Sequence, residues 1–305
     1  MANLEVTFCG KKFKNPVIAA SGTFGFGREY AEVYDISALG GIATKGITLK
    51  RREGNSSPRI AETYGGILNS VGLQNPGVRE FLEKELGFLK SHGTVVIVNI
   101  AGSTEGEYCE MARLISRSEA DMIELNISCP NVKEGGLTFG SRPESIESIT
   151  RLVKASMEGD MPLIVKLSPN VASISEVAVA AEEGGADAVS LINTITGMAV
   201  DVRTRRPVLA NITGGLSGPC IKPIALRMVY EAYRAVKIPI IGMGGIMTAE
   251  DAVEFMLCGA SLVQVGTANL IRLDACKRII EGLEKYCLEN GIKDISELTG
   301  SLITE

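Results

Sequence analysis

Eight short runs of apolar, mostly β-branched residues recur along the chain, separated largely by sequence of helical period, and this alternation constrains the fold most. The runs are Val17–Ala20, Gly41–Thr48, Val95–Ala101, Met122–Ser128, Leu163–Ser168, Ala188–Thr194, Pro239–Gly244 and Leu262–Thr267. Such runs mark strands buried on both faces, which are parallel strands covered by helices. Between them, Val78–Ser91, Glu105–Ser118, Pro143–Met157, Ile174–Glu183, Lys222–Val236 and Ala249–Cys258 read as amphipathic helices. Eight strands alternating with helices predict a closed (β/α)8 barrel of the TIM type, an α/β fold. No linker or composition shift divides the 305 residues, so 1–305 read as one domain. The 45% apolar content supplies its core, and 34 glycines suit many tight strand–helix junctions.

The net charge of −5 argues against a nucleic-acid or anionic-membrane surface, since both need a basic patch. No apolar run approaches the roughly 18 residues that span a bilayer. Met1–Glu5 carries no charged-then-apolar signal pattern. The seven cysteines are odd in number and none are spaced C-x-x-C, which argues against a disulfide framework or an iron–sulfur cluster held by this chain. Reduced thiols fit a cytoplasmic protein. The one histidine, His92, sits near a helix end away from the strand termini, so no metal site and no histidine acid–base chemistry are expected.

The strand ends carry the chemistry. Run two ends at Thr44-Lys45-Gly46, run three at Asn99, run four at Asn126, run five at Lys166 and run six at Asn193-Thr194. Five consecutive strands thus bring a lysine or asparagine to one rim, the face where barrel active sites lie. A buried amide or ammonium costs several kcal/mol, on the order of 2–7 for an amide, unless it is paired. Any single asparagine could be bonding loop backbone; the five positions together point to a ligand. Asparagine offers a donor and an acceptor on one plane, which suits a flat ring with alternating C=O and N–H edges. Lysine suits a carboxylate, a phosphate or a developing anion.

Runs seven and eight end in Gly244-Gly245 and Gly266-Thr267. Loops at these places often bind phosphate with a helix N-terminus, and Gly218 could add another amide. Gly22-Thr23-Phe24-Gly25-Phe26-Gly27 lacks the spacing of a dinucleotide fingerprint. Two connections read as long loops on the same face: Cys129–Arg142, where Gly135-Gly136 could hinge a lid, and Ile195–Gly218. Cys129 stands on the rim beside Pro130, where a thiol could be a nucleophile, a metal ligand or a general base. Cys9, Cys109, Cys258, Cys276 and Cys287 read as core or surface thiols, and Cys220 is ambiguous.

Several segments resemble the class 1 dihydroorotate dehydrogenases. Asn126-Ile127-Ser128-Cys129-Pro130-Asn131-Val132 resembles their active loop, Ala20-Ser21-Gly22-Thr23-Phe24-Gly25 their first strand–loop segment, and Leu68-Asn69-Ser70-Val71-Gly72-Leu73-Gln74-Asn75 their substrate loop. Gly214-Gly215-Leu216-Ser217-Gly218 and Gly244-Gly245 resemble their phosphate end. Class 2 members carry a membrane-associating N-terminal extension and a serine base, and this sequence has neither. Lys133-Glu134-Gly135-Gly136 and Gly197-Met198-Ala199-Val200-Asp201 resemble subclass 1B, the NAD-linked form.

The resemblance implies oxidation of dihydroorotate to orotate in pyrimidine biosynthesis, with one FMN per chain. It implies Cys129 as the base at C5, hydride transfer from C6 to the flavin N5, and Lys166 stabilising the reduced flavin. Lys45 would lie between flavin and substrate. The substrate would be held by Lys45, Asn69, Ser70, Val71, Gly72, Leu73, Asn126, Asn131, Asn193 and Thr194. FMN would be held by Ser21, Lys45, Gly46, Asn99, Asn126, Lys166, Ile192, Gly218, Gly244, Gly245, Gly266 and Thr267. A homodimer of this chain would join a second subunit carrying FAD and a 2Fe–2S cluster, giving a heterotetramer. The alternatives are a fumarate-linked class 1A-like homodimer, a related dihydropyrimidine dehydrogenase, a phosphate-binding lyase or aldolase with Lys166 as Schiff base, and a non-enzymatic scaffold.

Overall fold

The computed structural model describes residues 2–128 and 139–304. Each of the eight apolar runs contains one strand, and the eight close into one barrel. In chain order they are β1 (Val17–Ala19), β2 (Gly41–Ala43), β3 (Val95–Ile100), β4 (Met122–Asn126), β5 (Leu163–Lys166), β6 (Ala188–Leu191), β7 (Ile240–Met243) and β8 (Leu262–Val265). Each pairs in parallel with its chain neighbour, and β8 pairs with β1. Sequential parallel order needs a crossover after every strand, which the helical stretches supply.

Helices Glu105–Ser116, Pro143–Ser156, Ile174–Glu183, Lys222–Ala235 and Ala249–Leu257 lie outside the barrel. Several start where the sequence offers a cap. Thr104 accepts from the Glu107 amide, Ser173 from the Glu176 amide, and Thr248 forms a capping box with Asp251. The stretch read as Val78–Ser91 is helical throughout but widens to a π-turn over Phe81–Glu85. One more helix, Ala275–Glu289, packs against Ala249–Leu257 and β1.

The two ends of the barrel are covered differently. An antiparallel hairpin, Val6–Phe8 with Lys11–Phe13, precedes β1. Its Phe8 and Phe13 rings meet edge to face, and Phe13 packs against Gly41 at the start of β2. Over the opposite end lies a four-stranded antiparallel sheet in the order Ile195–Met198, Thr213–Ser217, Gly66–Asn69, Ile60–Thr63. This corrects the reading of Ile195–Gly218 as a loop: it contributes two strands here and the small pair Val200–Asp201 with Arg206–Pro207. The glycines explain the misreading, because Gly214-Gly215 gives a strand no apolar alternation to recognise. They are needed for close approach, since a Cβ on Gly215 would lie 2.0 Å from Thr194 Oγ1. The sheet ties the chain after β2 to the chain after β6 across the barrel mouth.

Candidate active site

Beneath that sheet, at the C-terminal ends of the strands, is a cavity of about 250 Å³. Among the described residues, every barrel strand except β3 delivers lining residues within it or just after it. Ser21 follows β1, Lys45 and Gly46 follow β2, Asn126 ends β4 and Lys166 ends β5. Ile192, Asn193 and Thr194 follow β6, Gly244 and Gly245 follow β7, and Gly266 and Thr267 follow β8. The roof brings Asn69, Val71, Gly72 and Leu73 from one side and Gly218 from the other. Ser70 and Asn99 are fully buried and stand behind the lining. The main chain of Ser70 bonds to Arg59 and Asn55, and its Oγ has no hydrogen-bond partner. Cys129 and Asn131, with Gly135-Gly136, lie outside the described residues.

One end of the cavity is almost all backbone. Gly218 has φ 109° and Gly245 has φ 83°, a region that side chains rarely adopt. A Cβ on Gly245 would sit 2.9 Å from the Gly218 carbonyl oxygen, and one on Gly218 would sit 2.7 Å from the Gly66 Cα. Thr267 Oγ1 donates to Ser217 Oγ at 2.9 Å, joining the chain after β8 to this corner. The helix Lys222–Ala235 starts just beyond, and Lys222 is fixed by Asp251 at 2.6 Å and Glu254 at 2.8 Å. Glycine backbone beside a helix start suits the oxygens of a phosphate.

The floor is polar and, at its centre, buried. Glu124 on β4 is 0% exposed, and three donors converge on its carboxylate. They are Asn99 Nδ2 at 2.5 Å, Gln264 Nε2 at 2.7 Å and Ser190 Oγ at 2.8 Å, with Lys166 Nζ at 3.8 Å. Four strands, β3, β5, β6 and β8, thereby hold one side chain of β4. A string of side chains runs from this point across the floor. Asn126 Nδ2 donates to Asn99 Oδ1 at 3.4 Å, Ser128 Oγ to Asn126 Oδ1 at 3.2 Å, and Asn193 Nδ2 to Ser128 Oγ at 2.7 Å. Tyr108 steadies the strand end by donating to the Asn126 carbonyl at 2.9 Å. Gln264 Oε1, in a residue that lines the cavity, has no hydrogen-bond partner.

Lys45 is the second cation. Burial first, and then the Arg59 guanidinium, push its pKa down from the ordinary 10.5, while Glu29 opposes them. A partly desolvated ammonium facing another cation is favoured by an incoming anion.

These residues fit a flavin nucleotide. The walls carry Ile60, Ile67, Leu73, Ile192 and Met243 for a flat ring, and the floor carries amides and Lys166 for its polar edges. The unpartnered Gln264 oxygen awaits a donor, and the glycine corner accommodates a phosphate.

Fold and site together define an α/β barrel that binds a flat, phosphate-bearing ring and a small anion at the mouth of its strands. The family model for dihydroorotate dehydrogenase matches residues 3–287. Similar curated proteins include "Dihydroorotate dehydrogenase B (NAD(+)), catalytic subunit" from Caldicellulosiruptor saccharolyticus, 56% identical over 98% of this chain and 99% of that protein. The same description applies to relatives in Alkaliphilus metalliredigens, 56% identical over 98% and 99%, and in Geotalea uraniireducens, 54% identical over 99% of both chains. The chain belongs to the dihydroorotate dehydrogenase family.

Sequence reasoning assigned nothing to Glu124 or Gln264. Each sits among apolar neighbours within its strand, Met122-Ile123-Glu124-Leu125 and Leu262-Val263-Gln264-Val265. A charge or amide inside a strand buried on both faces is itself a signal, because it needs partners from other strands.

Proposed function

We propose that this chain is the catalytic subunit of an NAD-linked dihydroorotate dehydrogenase, oxidising (S)-dihydroorotate to orotate. The observation that carries the reading is the convergence of Lys45, Lys166, Asn126 and Asn193 from four strands on one cavity with a glycine-rich corner. High identity to relatives described as NAD-linked catalytic subunits supports it over almost the whole chain.

Bound in the cavity, FMN supplies the two-electron acceptor. Ser21, Gly46, Gly218, Gly244, Gly245, Gly266 and Thr267 hold it, with Ile192 against the ring and Asn99 supporting the floor. Lys166 provides a buried positive charge where negative charge develops during oxidation. Lys45, Asn69, Asn126, Asn193 and Thr194 orient the substrate ring and its carboxylate, and Val71, Gly72 and Leu73 exclude water above it. Cys129, directly after Ser128, removes the C5 proton as a thiolate, and Asn131 binds beside it. Two hydrogens would leave adjacent ring carbons, one as a proton taken by the Cys129 thiolate and one as a hydride, for which bound FMN would supply the acceptor. A partner subunit carrying FAD and a 2Fe–2S cluster would supply the route for these electrons to NAD+. Two copies of this chain form a homodimer within a heterotetramer.

Purified protein should be yellow and release FMN on denaturation. With the partner subunit it should reduce NAD+ on adding dihydroorotate. A colourless protein, or turnover of dihydrouracil without dihydroorotate, overturns the assignment; full turnover with fumarate and no partner overturns the NAD linkage.

A further inference from the structure

Past the barrel rim, the chains after β1 and β8 separate to line the cavity, Ser21, Gly22 and Thr23 on one side and Gly266, Thr267 and Leu270 on the other. Their strands are neighbours, and the Ala20 amide extends that pairing by donating to the Val265 carbonyl at 2.8 Å. Each loop is then folded back on its own strand. Thr23 Oγ1 donates to the Ala20 carbonyl at 3.2 Å, and Asn269 Nδ2 to the Val265 carbonyl at 2.8 Å. A side chain from elsewhere joins the two loops to each other. Tyr30, in the short helix Arg28–Ala31, sends its hydroxyl between them, 2.8 Å from the Thr23 carbonyl oxygen and 3.2 Å from that of Asn269. A phenol has one proton, so the two carbonyls share it as a three-centre hydrogen bond.

The ring is fixed from the side. It is 6% exposed and stacks on the buried Phe24 ring, with centroids 4.0 Å apart and 20° between the planes. Burial first, and then Cys276 and Glu29, push the phenol's pKa up from the ordinary 10.0, so the hydroxyl stays a donor. Tyr30 itself does not line the cavity.

We propose that Tyr30 is a positioning residue for the flavin, its hydroxyl setting the spacing of the two loops that close on FMN. The inference rests on the proposed function, which gives Ser21 of one loop and Gly266 and Thr267 of the other to FMN. Without the hydroxyl, two carbonyl oxygens face each other with no donor between them. The loops then part, and FMN affinity falls because binding must first order them. Lys45, Asn69, Asn126, Asn193 and Thr194, assigned to the substrate, belong to other segments, so the effect falls on the cofactor and spares the substrate. Tyr34, further along the same segment, supplies the control. Its hydroxyl is buried without a hydrogen-bond partner, so Tyr34→Phe removes the same atom without removing a bond.

Free FMN separated by ultrafiltration over a dilution series of the flavin-loaded full chain tests this. Tyr30→Phe should raise the FMN dissociation constant about tenfold or more, the usual scale of a lost buried hydrogen bond. Orotate affinity at saturating FMN should stay within about twofold, and Tyr34→Phe should leave both constants within about twofold of the parent. A Tyr30→Phe chain that holds FMN as the parent does overturns the inference. So does an equal loss of FMN and orotate affinity, which means the whole site has loosened, or an equal loss of FMN affinity in Tyr34→Phe. A Tyr30→Phe chain that does not fold overturns it as well, because the hydroxyl then serves the barrel and not the cavity. A parent protein that carries no flavin overturns the functional reading instead.

Discussion

The two ends of the barrel use similar polar residues for opposite purposes. At the hairpin-covered end, Asn15 accepts from the Val17 and Gly40 amides and donates to the Ala38 carbonyl. Asp121 there accepts from the Val96 amide and pairs with Lys90, and Asp187 accepts from the Leu163 amide and pairs with Lys154. These side chains complete the backbone hydrogen bonding of strand entries. At the sheet-covered end, Asn99, Asn126 and Asn193 are joined through side chains to one another, to Ser128 and to Glu124, and Gln264, which lines the cavity, keeps an Oε1 without a partner. Residue type alone therefore does not mark a site. What marks it is hydrogen-bonding capacity left over after the chain's own backbone is satisfied.

If that contrast is right, substitutions at the mouth should remove activity and leave folding intact, and those at the hairpin end should do the reverse. The largest effect is expected at Cys129. Cys129→Ala should retain FMN and lower dihydroorotate oxidation by about 10²–10⁴-fold, the usual range for a lost general base. Steady-state turnover checks this, and near-normal turnover removes Cys129 from the mechanism. Next is Asn15→Ala. Asn15 is 4% exposed and satisfies two backbone N–H groups, so its loss should cost about 2–4 kcal/mol of stability. Denaturant unfolding measures that loss, and kcat/KM should stay within about twofold. A drop in kcat/KM without destabilisation would break the contrast.

The barrel was legible because eight apolar runs repeat a signal that barely depends on neighbours. Lys45, Asn126, Lys166 and Asn193 were legible because each interrupts or ends such a run. The roof was not. Gly66–Asn69 and Thr213–Ser217 pair across about 146 positions of chain, as Asn69 with Gly215, and glycine erases the alternation that would reveal them. Ser70 shows the limit of reading a loop by resemblance alone: it adjoins cavity-lining residues, yet its own side chain is buried behind them. Glu124 was passed over for a different reason. Its role lies in four partners from four other strands, and no local pattern announces them.

Lys45 gives the finest test of the contrast, because it should act on stability and binding in opposite directions. Its depressed pKa means that the folded protein holds this proton less tightly than the unfolded chain does. The unfolded state binds more protons as pH approaches 10.5 from below, so this residue makes stability rise with pH in that window. Lys45→Met should therefore raise the melting temperature slightly while weakening orotate by roughly tenfold, the size of a lost charge-assisted hydrogen bond. The smaller effect is the pH dependence itself. An anion needs the protonated amine, so orotate affinity should fall severalfold as pH rises through the folded-state pKa of Lys45, below its ordinary value. The measurement belongs in a Cys129→Ala background, where ionisation of that thiol cannot mimic the effect. Loss of the alkaline fall on adding Lys45→Met assigns it to this ammonium. Its persistence there would place the anion on another cation and leave Lys45 a half-buried charge without a ligand.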